Sequence, residues 1–218
     1  MQYFFPVRGF YVQEHSLERV PINRQDPQGR FIKQAVSILQ DGGLICYPTD
    51  TIYGIGCDIF NKKAIESIYR LKGKGYKSPL SFICPSLQGI AQYAYISNKA
   101  FKLMKRLLPG PFTFVLPATR IVPKIMMHKR KTVGIRVPDD NICQMLLELF
   151  GKPIVSTSAS LPNGEITPSP DEILQHYLNA HIGLFLDCGP LGLSPSTVID
   201  FTGEEPVILR EGKGIEQI

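Results

Sequence analysis

The chain lacks the short patterns by which many enzymes are recognised. There is no Walker loop, no G-x-G-x-x-G after a strand, no H-E-x-x-H and no G-x-S-x-G. These absences remove a backbone-amide phosphate cradle, a dinucleotide turn, a zinc-protease helix and a nucleophile elbow. No His/Asp partner is evident for a nucleophilic Ser or Cys either. Any phosphate must then be held by side chains, and positioning with charge neutralisation fits better than covalent catalysis. The five cysteines (Cys46, Cys57, Cys84, Cys143 and Cys188) form no C-x-x-C, and no histidine stands at metal-ligand spacing from them. They are expected as small buried hydrophobes in a reducing compartment, rather than as a zinc site or a catalytic thiol. No apolar run approaches the roughly 18–20 residues needed to span a bilayer. The opening MQYFFPVRGFYVQEHS lacks the basic-then-apolar order of a signal peptide. A cytoplasmic protein that does not enter the membrane is expected. There is also no repeat, low-complexity stretch or long linker, so one domain over 1–218 is expected.

What is present is ordinary globular material: 218 residues, 44% hydrophobic and 20% charged, enough for a sizeable core. The net charge of +5 is mild, and clustering matters more than the total. Basic residues gather in Arg70-Leu-Lys-Gly-Lys-Gly-Tyr-Lys77 and in His128-Lys-Arg-Lys131. Each run is either a solvated loop or a contact for phosphate, from a nucleotide or from RNA.

Strand-like and helix-like stretches alternate, the pattern of an α/β layered architecture. Residues 1–25 suggest an edge strand or an arm. Ile32, Ala35, Val36 and Leu39 recur at helical spacing up to Gly42-Gly43. LICYP, PLSFICPS, FTFVLPAT, TVGIRVP and PIVSTSAS read as strands, with GLFLDCG, STVIDFTG and PVILREG as three more near the end. NKKAIESIYRLKGK, NKAFKLMKRLLPG, DNICQMLLELFG and DEILQHYLNA read as helices. Asp139-Asp140 is expected to open the third of these, Gly151 to close it, and the acidic pair Asp171-Glu172 to cap the fourth.

Several strands end in hydroxyl or basic side chains: Thr49-Asp50-Thr51, Ser156 to Ser160, Ser196-Thr197, Arg136 and Arg210. Any one cluster is adequately explained by caps and turns. Together they point to one polar pocket, because α/β proteins bind ligands beyond their strand ends.

These same residues carry a resemblance. Tyr47-Pro-Thr-Asp-Thr-Ile-Tyr-Gly-Ile-Gly56 resembles the YPTDTVYGLG signature of the YrdC/YciO family, and LKGKGYKSPLSF (71–82) resembles its KGRPxxNPL segment. TVGIRVP, VSTSAS, STVID and ILREG follow in the family's order, so the similarity runs from about Arg24 to Gly212. The opening QYFFPV and the stretch from FKLMKRLLPG to TVGIRVP resemble the YciO branch more than YrdC.

The resemblance implies a YrdC-like twisted open mixed sheet with helices on its faces and a large basic concave cavity. It implies an enzyme making threonylcarbamoyl-AMP from L-threonine, bicarbonate and ATP, with pyrophosphate released, in the t6A modification of tRNA. Mg²⁺ would arrive with ATP, held by phosphates and water rather than by protein ligands. By matching positions, Thr51, Arg136, Ser158 and Ser196 would hold threonine. Lys72, Lys74, Ser78, Thr132, Ser160 and Arg210 would meet the nucleotide, with Lys72 and Lys74 neutralising charge during reaction. Arg136 suits a carboxylate because guanidinium can grip it bidentately. The family's Lys-x-Arg is Lys72-Gly-Lys74 here, its Ser-x-Asn is Ser158-Ala-Ser160, Ser78 replaces Asn, and Gly75 replaces Pro. The alternative reading is a double-stranded RNA or tRNA binder with weak or no synthase activity. Beyond Tyr76, the basic runs hold no set of stacking aromatics.

Overall fold

The computed structural model describes residues 17–73, 80–127, 130–161 and 164–218. Ten strands in these residues form one mixed sheet. In chain order they are β1 (Glu18–Pro21), β2 (Leu44–Tyr47), β3 (Gly54–Asp58), β4 (Ser81–Ile83), β5 (Phe112–Pro117), β6 (Thr132–Arg136), β7 (Ile154–Ser158), β8 (Ile182–Asp187), β9 (Thr197–Asp200) and β10 (Val207–Arg210). Their spatial order is β1-β8-β2-β3-β7-β4-β6-β5-β9-β10. Four pairs are parallel (β1 with β8, β2 with β8, β4 with β6, β5 with β9) and the other five are antiparallel. The expected α/β mixed sheet is therefore what the chain forms.

Among the described residues six α-helices accompany it: α1 (Gly29–Gln40), α2 (Lys62–Leu71), α3 (Leu87–Tyr93), α4 (Asn98–Leu107), α5 (Asn141–Phe150) and α6 (Pro170–Tyr177). In β2, Ile45 and Tyr47 join one core while Leu44 and Cys46 join the other, the period-two alternation of a strand buried on both faces. Ile32, Ala35, Val36 and Leu39 of α1 pack with Ile142, Leu146 and Phe150 of α5 on one face. Ile65 of α2, Ile90 of α3, Met104 of α4 and Ile173 of α6 pack on the other. Cys46, Cys57, Cys84 and Cys143 are buried members of these cores, as expected for small hydrophobes, and burial pushes the Cys84 thiol up to about 12.

Asp140 caps α5, accepting from the Cys143 amide, and Gly151 closes it with φ +72°. The expected acidic cap of α6 is corrected: the Ser169 hydroxyl accepts from the Glu172 amide. Asp171 and Glu172 instead sit in the first turn, where they meet the positive end of the helix dipole. Among the strands and α-helices, two were not anticipated. Glycines hid β3 inside the Tyr47–Gly56 motif, and α3 is a seven-residue helix with one buried residue, Ile90, too short to show a period.

Gly56 in β3 is a close-approach position. A Cβ there would lie 2.7 Å from the Val155 carbonyl oxygen and 2.8 Å from the Tyr47 ring. Gly56→Ala should therefore destabilise the protein by about 1–3 kcal/mol through forced separation of β3 from β7. Urea unfolding monitored by circular dichroism would measure the shift in midpoint.

Candidate functional site

The face that carries α1 and α5 changes character along the sheet. Near those helices the strands present Ile45, Tyr47, Ile83 and Ile154. Farther along, the same alternation brings up Ser156 and Ser158 of β7, Ser81 of β4, and Thr132, Gly134 and Arg136 of β6. Thr113 and Val115 of β5 and Val198 and Asp200 of β9 continue this row. Together they line a cavity of about 570 Å³, within the range of small-molecule sites. Small side chains create the space. A Cβ on Gly134 would sit 3.2 Å from Ser81 Cβ and 3.4 Å from Thr113 Cγ2, and a larger side chain would fill the floor. Among the described residues, Arg130, Arg136, Arg210 and Asp200 are the charged groups of the lining.

At one end, the loop after β2 is folded on its own hydroxyls. Thr49 Oγ1 donates to the Ile52 carbonyl at 2.7 Å and accepts from the Thr51 amide at 3.1 Å. This loop puts Thr51 Oγ1 2.9 Å from Arg136 Nη1. Arg136 Nη2 pairs with Asp50 Oδ1, and both side chains are about nine-tenths buried. Asp50 Oδ2 and Arg136 Nε are buried without a hydrogen-bond partner among the described residues. The guanidinium is thus not the free two-point fork that sequence reasoning assumed. Asp50 occupies one of its donors, and a carboxylate must use what remains or displace Asp50.

At another wall, Arg210 donates to the Ser196 carbonyl at 2.8 Å and to Ser196 Oγ at 3.1 Å, while Ser196 Oγ lies 2.8 Å from Thr113 Oγ1. Partial burial of its guanidinium, and secondly the Arg136 charge, lower the Arg210 pKa. An anion beside Arg210 would offset both effects and favour the charged guanidinium.

Thr51, Thr132, Arg136, Ser158, Ser196 and Arg210 all line the cavity. Lys72 and Ser160 stand just behind it. From the C-terminal end of α2, Lys72 Nζ donates to Ser160 Oγ at 2.8 Å and to the carbonyls of Ser158 at 3.1 Å and Ser160 at 3.2 Å. Tyr177 of α6 donates to the same Ser160 carbonyl, and its hydroxyl also lies 3.3 Å from Lys72 Nζ. Burial raises the Tyr177 pKa, so this phenol remains a donor. Lys74 and Ser78 lie outside the described residues, as do His128 and Lys129 of the second basic run.

Sequence reasoning missed Tyr53, Ser81, Thr113, Gly134 and Asp200, which also line the cavity. A signal was available for some of them. Once Arg136 faces a ligand, period two places Gly134 and Thr132 on the same side.

Residues 37–212 match the Sua5/YciO/YrdC family, described as telomere recombination. The chain is 43% identical over 194 residues to the uncharacterised YciO protein of Escherichia coli, covering 88% of this chain and 94% of that one. The crystal structure of E. coli YciO superposes with a TM-score of 0.86, covering 91% and 97% of the two chains. The threonylcarbamoyl-AMP synthase of Pyrococcus abyssi is 33% identical over 183 residues, covering 83% of this chain but 54% of that longer protein. The P. abyssi Sua5 structure in complex with L-threonine has a TM-score of 0.83 over 89% of this chain and 57% of that one. With the motifs, the sheet and these matches in agreement, the chain belongs to the Sua5/YciO/YrdC family.

Proposed function

We propose that the cavity binds an amino acid and ATP side by side and forms threonylcarbamoyl-AMP for tRNA modification in the cytoplasm. The observation that carries this reading is the pairing of two anion-seeking walls across one small-residue floor. Arg136 with Thr51 forms one wall, and Arg210 with Ser196 the other. A relative with 30% identity is solved with L-threonine, which supports an amino acid as one ligand.

In the proposed reaction, the threonine amine adds to bicarbonate and water leaves, giving a carbamate. A carbamate oxygen attacks the α-phosphorus of ATP and pyrophosphate departs. Arg136 and Thr51 hold the carboxylate, while Ser158 and Ser196 present hydroxyls to the rest of the amino acid. Arg210, with Lys74 and Ser78, meets the phosphates, and Thr132 lies on the floor between the two walls. Charge neutralisation and alignment supply the rate, without a covalent intermediate on the protein. Mg²⁺ would be brought by the nucleotide. The hydroxyl-rich lining, with Asp200 as its carboxylate, suits an ion held by phosphate oxygens and water.

Incubation with ATP, bicarbonate and L-threonine, with pyrophosphate and adenylate as readouts, tests the reading. Threonine-dependent pyrophosphate release is expected, and its absence at substrate concentrations well above those used by synthases would refute it.

Ser160 offers a sharper test. Its hydroxyl is already the acceptor for Lys72 at 2.8 Å. In Ser160→Asn, the amide oxygen would keep that bond and the amide nitrogen would add a donor towards the nucleotide. With Lys74→Arg, turnover should rise several-fold, about 1 kcal/mol of transition-state stabilisation. A double variant with no threonine-dependent gain would point to a pocket repacked for another ligand.

A further inference from the structure

We propose that Lys213, outside the cavity lining, is a positioning residue that couples the two walls of the site. Strand β2 ends at Tyr47, so the carbonyls that follow lose their ladder partners. Three consecutive ones are met by side chains from distant parts of the chain. Cys143 Sγ reaches the Pro48 carbonyl at 3.3 Å, Arg24 Nη2 the Thr49 carbonyl at 3.0 Å, and Lys213 Nζ the Asp50 carbonyl at 2.6 Å. Arg24 is itself held by Asp140 at 2.8 Å. The first two supports come from the body of the fold. The third comes from the segment that directly follows Arg210.

That segment is fastened along its length to residues 195–197. The Lys213 amide donates to the Pro195 carbonyl at 2.8 Å, and its carbonyl accepts from Thr197 Oγ1 at 3.0 Å. The Gly212 amide donates to Thr197 Oγ1 at 3.1 Å. Gly212 lies so close to the carbonyls of Pro195 and Ser196 that no Cβ fits, and Gly214 adopts φ +86°, where a Cβ would lie 2.8 Å from the Phe112 ring. A continuous route results. Arg210 holds Ser196, the segment beyond it carries Lys213, Lys213 fixes Asp50, and Asp50 fixes Arg136, which reaches Thr51. An anion on Arg210 that steadies this segment steadies the opposite wall as well.

The coupling rests on the amino-acid-plus-nucleotide reading above, but the positioning link is measurable without any ligand. In the ligand-free protein, the amides of Thr51 and Ile52 bond to Thr49 Oγ1. Lys213→Met should speed their hydrogen exchange by roughly 10-fold relative to amides of β7, and Lys213→Arg should restore protection. Unchanged exchange in Lys213→Met would overturn the proposal whatever the ligands are. ATP affinity is then measured by calorimetry with and without L-threonine. In wild type, threonine should tighten ATP; in Lys213→Met that gain should vanish, while affinity for ATP alone stays within about twofold. Persistence of the full gain in Lys213→Met would overturn the coupling. A wild type in which threonine leaves ATP affinity unchanged would also overturn the coupling, whereas the functional reading stands or falls on threonine-dependent pyrophosphate release.

Discussion

Arg136→Met is expected to destabilise the protein by about 3–5 kcal/mol and to abolish amino-acid binding. The pair with Asp50 has side-chain exposures of 10% and 8%, so removing the guanidinium strands a carboxylate in a poorly solvated place. Asp50 Oδ2 already has no partner among the described residues, and losing Arg136 leaves Oδ1 in the same position. Thr51 also loses its 2.9 Å donor, so the loop that shapes this wall is freed. Combining Arg136→Met with Asp50→Asn should recover much of the stability, because the buried charge is gone, yet none of the binding. Urea unfolding of the three variants, with threonine calorimetry on each, separates the contributions. If the double variant were no more stable than the single one, the buried ion pair would not be the source of the loss.

Lys72→Met should have the next largest effect, a fall of about 100-fold in adenylate formation, equivalent to roughly 2.7 kcal/mol. The lysine does not line the cavity; it gathers the end of β7. Its ammonium bonds to the carbonyls of Ser158, the last residue of β7, and Ser160 just beyond it, and to the Ser160 hydroxyl, with Tyr177 also donating to the Ser160 carbonyl. Hydrogen bonds that involve a charged group are worth about 1.5–3 kcal/mol, and these are part-buried. Methionine keeps the apolar stem but offers nothing to Ser158 and Ser160, so these residues move from the positions where they meet ligand. The variant should lose kcat more than stability, and Lys72→Arg should restore part of it. A Lys72→Met protein with full turnover would mean that the end of β7 is held by its sheet pairing alone.

Sequence patterning conveyed much of the fold. The 3.6-residue spacing of Ile32, Ala35, Val36 and Leu39 gave α1, and all four side chains are buried. The continuous apolar run of β2 marked a strand buried on both faces, and the period-two pattern of Phe112, Phe114 and Leu116 marked the core face of β5. Where the period was interrupted, reading failed. Gly54 and Gly56 remove the side chains that would have announced β3, since their role is close approach to β7.

For the site, sequence determined the residue types and their places at strand ends. These are local properties: a hydroxyl or guanidinium after an apolar run is visible without knowing the fold. The sheet order decided which of them meet. β6 lies between β4 and β5, and β9 lies beyond β5, so Arg136 and Ser196 share one cavity although 60 positions separate them. Tertiary packing also decided how each charge is used. Arg136 is shared with Asp50, Lys72 is turned onto backbone carbonyls, and Lys213 supports a loop across the site. None of this follows from sequence, because the partner of a buried charge is set by which elements pack together, and hydrogen-bond geometry is fixed only when they do.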